Sequence, residues 1–266
     1  MNKNRRRFLK NTARAALGIG CGLPLLGAAC NALLRGAGGE GASTTQWAMV
    51  VDIRKCLNDE VRRACVEACR RAHNLPRIPE PRHEVKWIWT EQYQHAFPDQ
   101  VHGHEAPAVR EEPVLVLCNH CTKPACVKVC PTGATWRRDD GIVMMDMHRC
   151  IGCRYCMAAC PYGSRSFNWG DPRPFTPTDE NGRLPSDYPT RDMGVVEKCT
   201  FCAERIRDGL PPACVEAAEK VPGGQGALTF GDLADPESQV SRILRIERTI
   251  CRRPSLGTGP NVYYII

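Results

Sequence analysis

Eight cysteines between residues 118 and 160 stand in two runs whose spacing already carries chemical information. The later run, Cys150-x2-Cys153-x2-Cys156-x3-Cys160-Pro161, has the bacterial ferredoxin order. In that order three closely spaced thiolates wrap one 4Fe-4S cube, and the fourth, followed by proline, reaches the other cube of a pair. The earlier run, Cys118-x2-Cys121-x4-Cys126-x3-Cys130-Pro131, ends the same way. Two residues between ligands put successive sulfurs on the concave side of a tight loop, where backbone N–H groups can face a cluster's negative charge. Gly152 lets the chain turn beside Cys153 without a clash. Two non-redox readings stay open beside this one. A zinc ribbon uses paired C-x2-C units for one four-thiolate site but has no need of the C-x2-C-x2-C-x3-C-P order. A disulfide framework suits an exported chain but spreads its cysteines across loops.

Further along the 266 residues lie three partial features of the same kind: Cys56, Cys65 and Cys69; Cys199, Cys202 and Cys214; and an isolated Cys251. The 17 cysteines equal the aromatic residues in number, so inorganic cubes are expected to serve as core and staple, and the apo chain to be largely unfolded. The net charge of +7 is misleading, because residues 1–35 hold seven basic groups and no acid, which leaves 29 of each sign in the body. A neutral body excludes a nucleic-acid binder, which needs surplus cations to displace phosphate counterions. The uncharged stretch Ala15 to Leu34 is the one long enough to span a bilayer, and its glycines and Pro24 weaken it, so a polytopic membrane protein is excluded. No triad, phosphate loop or dinucleotide fingerprint supports independent catalysis.

The first 35 residues read as an address. Asn4-Arg5-Arg6-Arg7-Phe8-Leu9-Lys10 resembles the twin-arginine signal, with Asn4 where Ser or Thr is commoner. That resemblance implies export in the folded, cofactor-loaded state and a periplasmic location. Leu26-Gly27-Ala28-Ala29-Cys30 is a weak lipoprotein box, so attachment through partners or through an uncleaved anchor are both expected possibilities.

From Cys118 to Trp169 the text, including Cys-Asn-His-Cys, Cys-Pro-Thr-Gly-Ala-Thr and Cys-Ile-Gly-Cys-Arg-Tyr-Cys-Met-Ala-Ala-Cys-Pro-Tyr-Gly, resembles the four-cluster electron-transfer subunits. These accompany molybdenum, polysulfide, tetrathionate and related respiratory reductases (the DmsB, PsrB and NrfC kind). The resemblance covers roughly residues 47–266. It implies an α+β fold of two nested ferredoxin-like units with loop insertions, each unit holding a pair of 4Fe-4S clusters. The central runs form the inner unit, at 113–170. The outer unit is split between 47–72 and 195–220. An insert at 73–112, a loop at 171–194 and a C-terminal extension at 221–266 complete the division.

Against that pattern, this chain departs twice. The first run has Cys56, then Asp59 and Arg62 at the intermediate places, then Cys65-x3-Cys69; the last reads Cys199-x2-Cys202-x11-Cys214-x3-Ala218. Under the family's cross-over rule both losses strike one cluster, which keeps only Cys56 and Cys65. Three sets are left complete: Cys118, Cys121, Cys126 with Cys160; Cys150, Cys153, Cys156 with Cys130; and Cys199, Cys202, Cys214 with Cys69. The resemblance therefore implies three 4Fe-4S clusters on twelve cysteines. A fourth, irregular cluster using Asp59 or Cys251 is the alternative, as is a Cys56–Cys65 disulfide.

A cube bound by four thiolates has no open coordination site, so the expected role is non-catalytic electron transfer. The resemblance implies a polytopic quinone-interacting membrane subunit on one side and a multihaem cytochrome or catalytic reductase subunit on the other. Within the family, Thr190-Arg191-Asp192-Met193-Gly194-Val195-Val196-Glu197-Lys198-Cys199 and the three-cluster set look most like the branch linked to the dissimilatory sulfite reductase (Dsr) membrane complex of sulfur metabolism.

The elements that must position these cysteines can be read more coarsely. Apolar runs at Trp47 to Ile53 and Glu112 to Leu117 predict strands feeding ligand loops. Asp139-Asp140-Gly141, between Ala134–Arg137 and Ile142–Met145, predicts a hairpin. Val61 to Ala72 and Cys199 to Arg207 have helical character, the second stopped by Gly209 and Pro211. The histidines of the insert, His73, His83, His95, His102 and His104, read as solvated loop residues, since no haem-attachment spacing occurs. The stretch Pro254–Ile266 resembles the family's closing strand.

Overall fold

A computed structural model describes residues 45–266, so the twin-arginine start and the Ala15–Leu34 stretch lie outside the described residues. In chain order the body runs β1 (Trp47–Asp52), α1 (Ile53–Cys56), α2 (Asp59–Ala72), β2 (Ile88–Gln92), α3 (Tyr93–Ala96), α4 (Pro107–Arg110), β3 (Pro113–Leu117) and α5 (Ala125–Lys128). It continues with β4 (Thr135–Arg137), β5 (Val143–Met145), α6 (Tyr155–Ala158), β6 (Ser166–Phe167), β7 (Val196–Glu197), α7 (Ala203–Arg207) and α8 (Ala213–Glu219). Last come β8 (Leu228–Asp232), α9 (Gln239–Ile246), β9 (Thr249–Ile250) and β10 (Val262–Ile265). The class is mixed α and β. Among the described residues no helix is long and apolar enough to cross a membrane.

The largest sheet has the order β8-β1-β10-β9. β1 runs antiparallel to β8 and parallel to β10, with Val51 opposite both Leu228 and Tyr264. Because side chains alternate along a strand, Met49 and Val51 enter the main core, while Ala48 and Val50 meet Val240 of α9 on the other face. A central strand covered on both faces reads as an unbroken apolar run, which is why Trp-Ala-Met-Val-Val is legible as a strand. The Pro254–Ile266 stretch supplies β10, as expected.

Three two-stranded antiparallel ribbons complete the strands: β2–β3, β4–β5 and β6–β7. The β4–β5 hairpin is closed by Arg138 donating to the Ile142 carbonyl at 2.8 Å and Gly141 donating to that of Arg138 at 3.1 Å. Gly141 has φ +87°, so the Asp-Gly signal produces a turn ending in a left-handed glycine. The 73–112 insert proves to be more than a histidine-bearing loop. It contributes β2 to a ribbon with β3 and buries Leu75, Val85, Trp87, Ile88 and Phe97 in the main core.

α2 is amphipathic by construction. Asn58 caps it by accepting the Glu60 N–H at 2.9 Å, with Asp59 and Glu60 in the first turn and Arg70 and Arg71 in the last, matching its dipole. Val61, Cys65 and Cys69 are spaced four apart and so share one buried face. That face packs on α8, whose buried residues are Ala213, Cys214 and Ala218. The other expected helix is shorter than read: α7 begins only at Ala203, because Phe201 and Cys202 both have φ +55°, a left-handed conformation that no α-helix can continue.

Candidate metal centres

The cysteine loops share one backbone device. His120 (φ +41°) lies between Cys118 and Cys121, Gly152 (+71°) and Arg154 (+61°) flank Cys153, and Phe201 and Cys202 (both +55°) form the third turn. Left-handed residues in such loops turn neighbouring N–H groups toward one concavity, an arrangement suited to an anion. Non-glycine residues there cost energy and persist where the surroundings enforce them. The N–H of Phe201 donates to Cys199 Sγ at 3.4 Å, that of Ala213 to Cys202 Sγ at 3.4 Å, and that of Val196 to Cys150 Sγ at 3.5 Å. At Gly152 a side chain is impossible: a Cβ there would stand 2.4 Å from the Gly194 carbonyl oxygen.

All fifteen described cysteines are free, and several of them stand close to one another. Burial pushes the Cys121 thiol up to about 12, with the sulfurs of Cys118, Cys126 and Cys160 adding to it. Burial likewise lifts Cys69 well above the ordinary range, helped by Cys202, Cys199 and Cys214. Cys130, Cys150, Cys153 and Cys156 line one small cavity. Cys130 differs in sign: burial raises its thiol, but the backbone N–H groups of Thr135, Thr132 and Ala134 and the Thr132 hydroxyl bring it below the usual value.

The groups adjoin one another: Cys126 lies near Cys156 and Cys118 near Cys199, so the Cys118 group neighbours both others. Cys65 Sγ donates to the Cys214 carbonyl at 3.4 Å, which puts the Cys56–Cys65 pair beside the third group. Cys153 is exposed, while Cys69, Cys199, Cys202 and Cys214 are all buried.

Twelve sulfurs converging in fours suit 4Fe-4S cages. A thiol whose pKa is driven up by burial is a poor ligand until a metal displaces its proton, so such groups need the cation to ionise. The fit extends to the walls: Arg165 Nη2 donates to Cys126 Sγ at 3.0 Å and to Thr135 Oγ1 at 2.8 Å.

The Cys56–Cys65 place is built differently. Both thiols are fully buried and free, and burial pushes each up to about 12. Each spends its S–H on a carbonyl, Cys65 on Cys214 at 3.4 Å and Cys56 on Ala227 at 3.8 Å. Arg62 turns its guanidinium inward, donating to the carbonyls of Cys56 (2.5 Å) and Leu57 (2.6 Å) and to Asp59 Oδ1 at 3.1 Å. The Asp59 carboxylate is drawn outward to Arg62 and Arg63, its side chain 61% exposed. Cys251 owes its raised thiol to burial alone, with no sulfur beside it.

Four features were missed or misread from sequence. His73 is buried rather than a solvated loop histidine: it follows the last turn of α2, with Nδ1 2.9 Å from the Cys69 carbonyl and Nε2 2.9 Å from Glu204 Oε1. The 171–194 loop is mostly exposed but ends in Arg191, which is buried against Glu197 at 2.7 Å and donates to the carbonyls of His73 and Asn74. Lys198 and Arg165 are also buried. Adjacency was the available signal: Lys198 precedes Cys199 and Arg165 follows Cys160-Pro161 by a few residues.

Residues 114–173 match the 4Fe-4S dicluster domain family. Over 236 residues, 82% of each chain, the sequence is 41% identical to the Hdr-like menaquinol oxidoreductase iron-sulfur subunit 1 of Archaeoglobus fulgidus. It is 35% identical to the menaquinone reductase iron-sulfur cluster-binding subunit of Nitratidesulfovibrio vulgaris, covering 83% of this chain and 88% of that one. A tetrathionate reductase subunit of Salmonella typhimurium is 32% identical, with 85% of this chain and 74% of that one covered. The chain belongs to this family of iron-sulfur electron-transfer subunits.

Proposed function

We propose that this member of the iron-sulfur subunit family is an exported relay that passes electrons one at a time between a membrane quinone-interacting subunit and a second redox subunit. The observation that carries the reading is the gathering of cysteines from separate stretches of chain into three neighbouring groups of four, with Cys153 exposed. Cys118, Cys121, Cys126 and Cys160 would hold the middle 4Fe-4S cluster, Cys130, Cys150, Cys153 and Cys156 the solvent-facing one, and Cys69, Cys199, Cys202 and Cys214 the buried one. A cage with four thiolate ligands supplies one-electron exchange with little rearrangement and no open site for substrate. The protein's own part is to fix the sulfurs, aim N–H groups at them and keep water from the buried group.

This assignment carries with it two nested ferredoxin-like units, the inner at 113–170 and the outer split between 47–72 and 195–220. The twin-arginine start supports export to the periplasm. The second partner would be a multihaem cytochrome or a catalytic reductase subunit. The three-cluster ligand set and the clause leading to Cys199 favour the Dsr-linked branch of sulfur metabolism. The names of the relatives keep a menaquinone-linked or tetrathionate-type reductase as the competing assignment.

Iron and sulfide analysis of anaerobically purified full-length protein tests the relay. About twelve iron atoms with matching sulfide per chain are expected, falling by about a third in each of the single variants Cys121→Ser, Cys153→Ser and Cys202→Ser. Zinc, or no metal at all, would overturn the reading.

A further inference from the structure

A cation buried without an anion carries a heavy desolvation cost. The described residues bury five basic side chains: Arg62, Arg165, Arg191, Lys198 and Arg252. Arg62 is matched by Asp59 and Arg191 by Glu197. Arg165, Lys198 and Arg252 have no carboxylate partner among the described residues; Arg252 donates to the Ala96 carbonyl and lies 5.5 Å over the Tyr162 ring. The other two stand among the cysteines. Arg165, 4% exposed, donates to Cys126 Sγ at 3.0 Å and to Met145 Sδ at 3.7 Å, and its charge reaches Cys118 and Cys156 as well. Its sulfur neighbours therefore belong to two different groups of four. Lys198, 1% exposed, donates from Nζ to the carbonyls of Val143 and Cys199, and its charge reaches the Cys199 sulfur. Both cations also act on buried His120, which is stacked on Phe201 at 3.7 Å with Nδ1 accepting the Val143 N–H at 3.0 Å and so offers no negative charge.

We propose that Arg165 and Lys198 are the buried countercharges of the clusters and set their reduction potentials. Arg165 is shared by the middle and solvent-facing sites, and Lys198 serves the buried one. The inference rests on the relay reading. Its physical basis is simple: a fixed positive charge in a poorly screened interior stabilises a cluster more after it has accepted an electron than before, which raises the potential. A hydrogen bond to a ligand sulfur acts in the same direction, so Arg165 works through both its charge and its N–H. As positioning residues they bind neither substrate nor metal.

The test is a redox titration of the full-length, iron-replete protein, followed by low-temperature paramagnetic resonance. In Arg165→Gln, two of the three midpoint potentials are expected to fall by at least a tenfold change in the reduced-to-oxidised ratio, about 59 mV for a one-electron couple, while the third holds. In Lys198→Met the pattern reverses, with only the third falling. Arg165→Lys keeps the charge and is expected to recover most of the loss, and it decides the matter should Arg165→Gln fail to assemble. Potentials unmoved in iron-replete Arg165→Gln or Lys198→Met, a uniform fall of all three, or Arg165→Lys behaving no better than Arg165→Gln would overturn the proposal. Wild-type protein without iron would instead overturn the relay reading beneath it.

Discussion

The Cys199 group and the Cys56–Cys65 place are neighbours served by the same two helices, yet they have opposite fates. In the first, Cys69 of α2 and Cys214 of α8 turn toward Cys199 and Cys202, and backbone N–H groups point at the sulfurs. In the second, the two thiols donate to carbonyls, and Arg62 satisfies two further carbonyls. The lesson concerns polarity. A cage site presents donors to sulfur, so the sulfurs are acceptors. The closed place turns its sulfurs into donors and supplies a guanidinium for the oxygens left over. At the Cys56–Cys65 place the hydrogen bonds run from sulfur to carbonyl, the reverse of those from backbone N–H to sulfur at the Cys199 group.

Stripping iron by anaerobic chelation should separate the two regions most strongly. The three cysteine groups are expected to lose their ordered loops, with a large fall in tertiary circular dichroism, because their burial depends on the cages. Next in size comes ligand replacement. Cys202→Ser should remove about a third of the iron and lower the thermal midpoint, whereas Cys56→Ser should leave iron content unchanged; loss of iron from Cys56→Ser would show that the closed place still holds metal. A smaller effect is expected from Arg62→Ala, which abandons the Cys56 and Leu57 carbonyls at a cost of about 1–3 kcal/mol, seen as a lower thermal midpoint at full iron content. Gly224→Ala should act in the same direction, since its Cβ would meet the Ala218 carbonyl oxygen at 2.4 Å.

The smallest effect concerns Asp52, which caps α1 by accepting the N–H groups of Arg54 (3.0 Å) and Lys55 (3.4 Å). Burial tends to raise its carboxyl, but hydrogen bonding and charge from Arg54 and the Lys55 N–H hold it below the usual range. A depressed carboxyl stabilises the fold above its unfolded value, near ~4, and loses that contribution as the pH falls through the folded one. Asp52→Ala should therefore cost about 1 kcal/mol at neutral pH and little in acid, measured by thermal melts across pH.

Much of this was legible in the sequence because cysteine spacing is local while its consequence is global. The apolar runs that became β1 and β3, the Asp-Gly hairpin and the Val61–Cys65–Cys69 stripe all announce themselves through periodicity. What stayed hidden depends on distant packing. His73 looked like one loop histidine among several, and the approach of Glu204, 131 residues away, gives its Nε2 a partner. The Cys199 to Arg207 stretch has helical composition, yet its first turn is wound left-handed at Phe201 and Cys202, where N–H groups approach the sulfurs. The burial of Arg165 and Lys198 defies composition outright, since long basic side chains ordinarily keep their charged ends in water.

The parallel pairing of β1 with β10 has a temporal consequence. Every one of the twelve candidate ligand cysteines lies in sequence between these two strands, so the central sheet cannot close until Val262–Ile265 has left the ribosome, after each candidate ligand stretch has already emerged. A polypeptide cut short of Val262 would leave that edge of β1 bare.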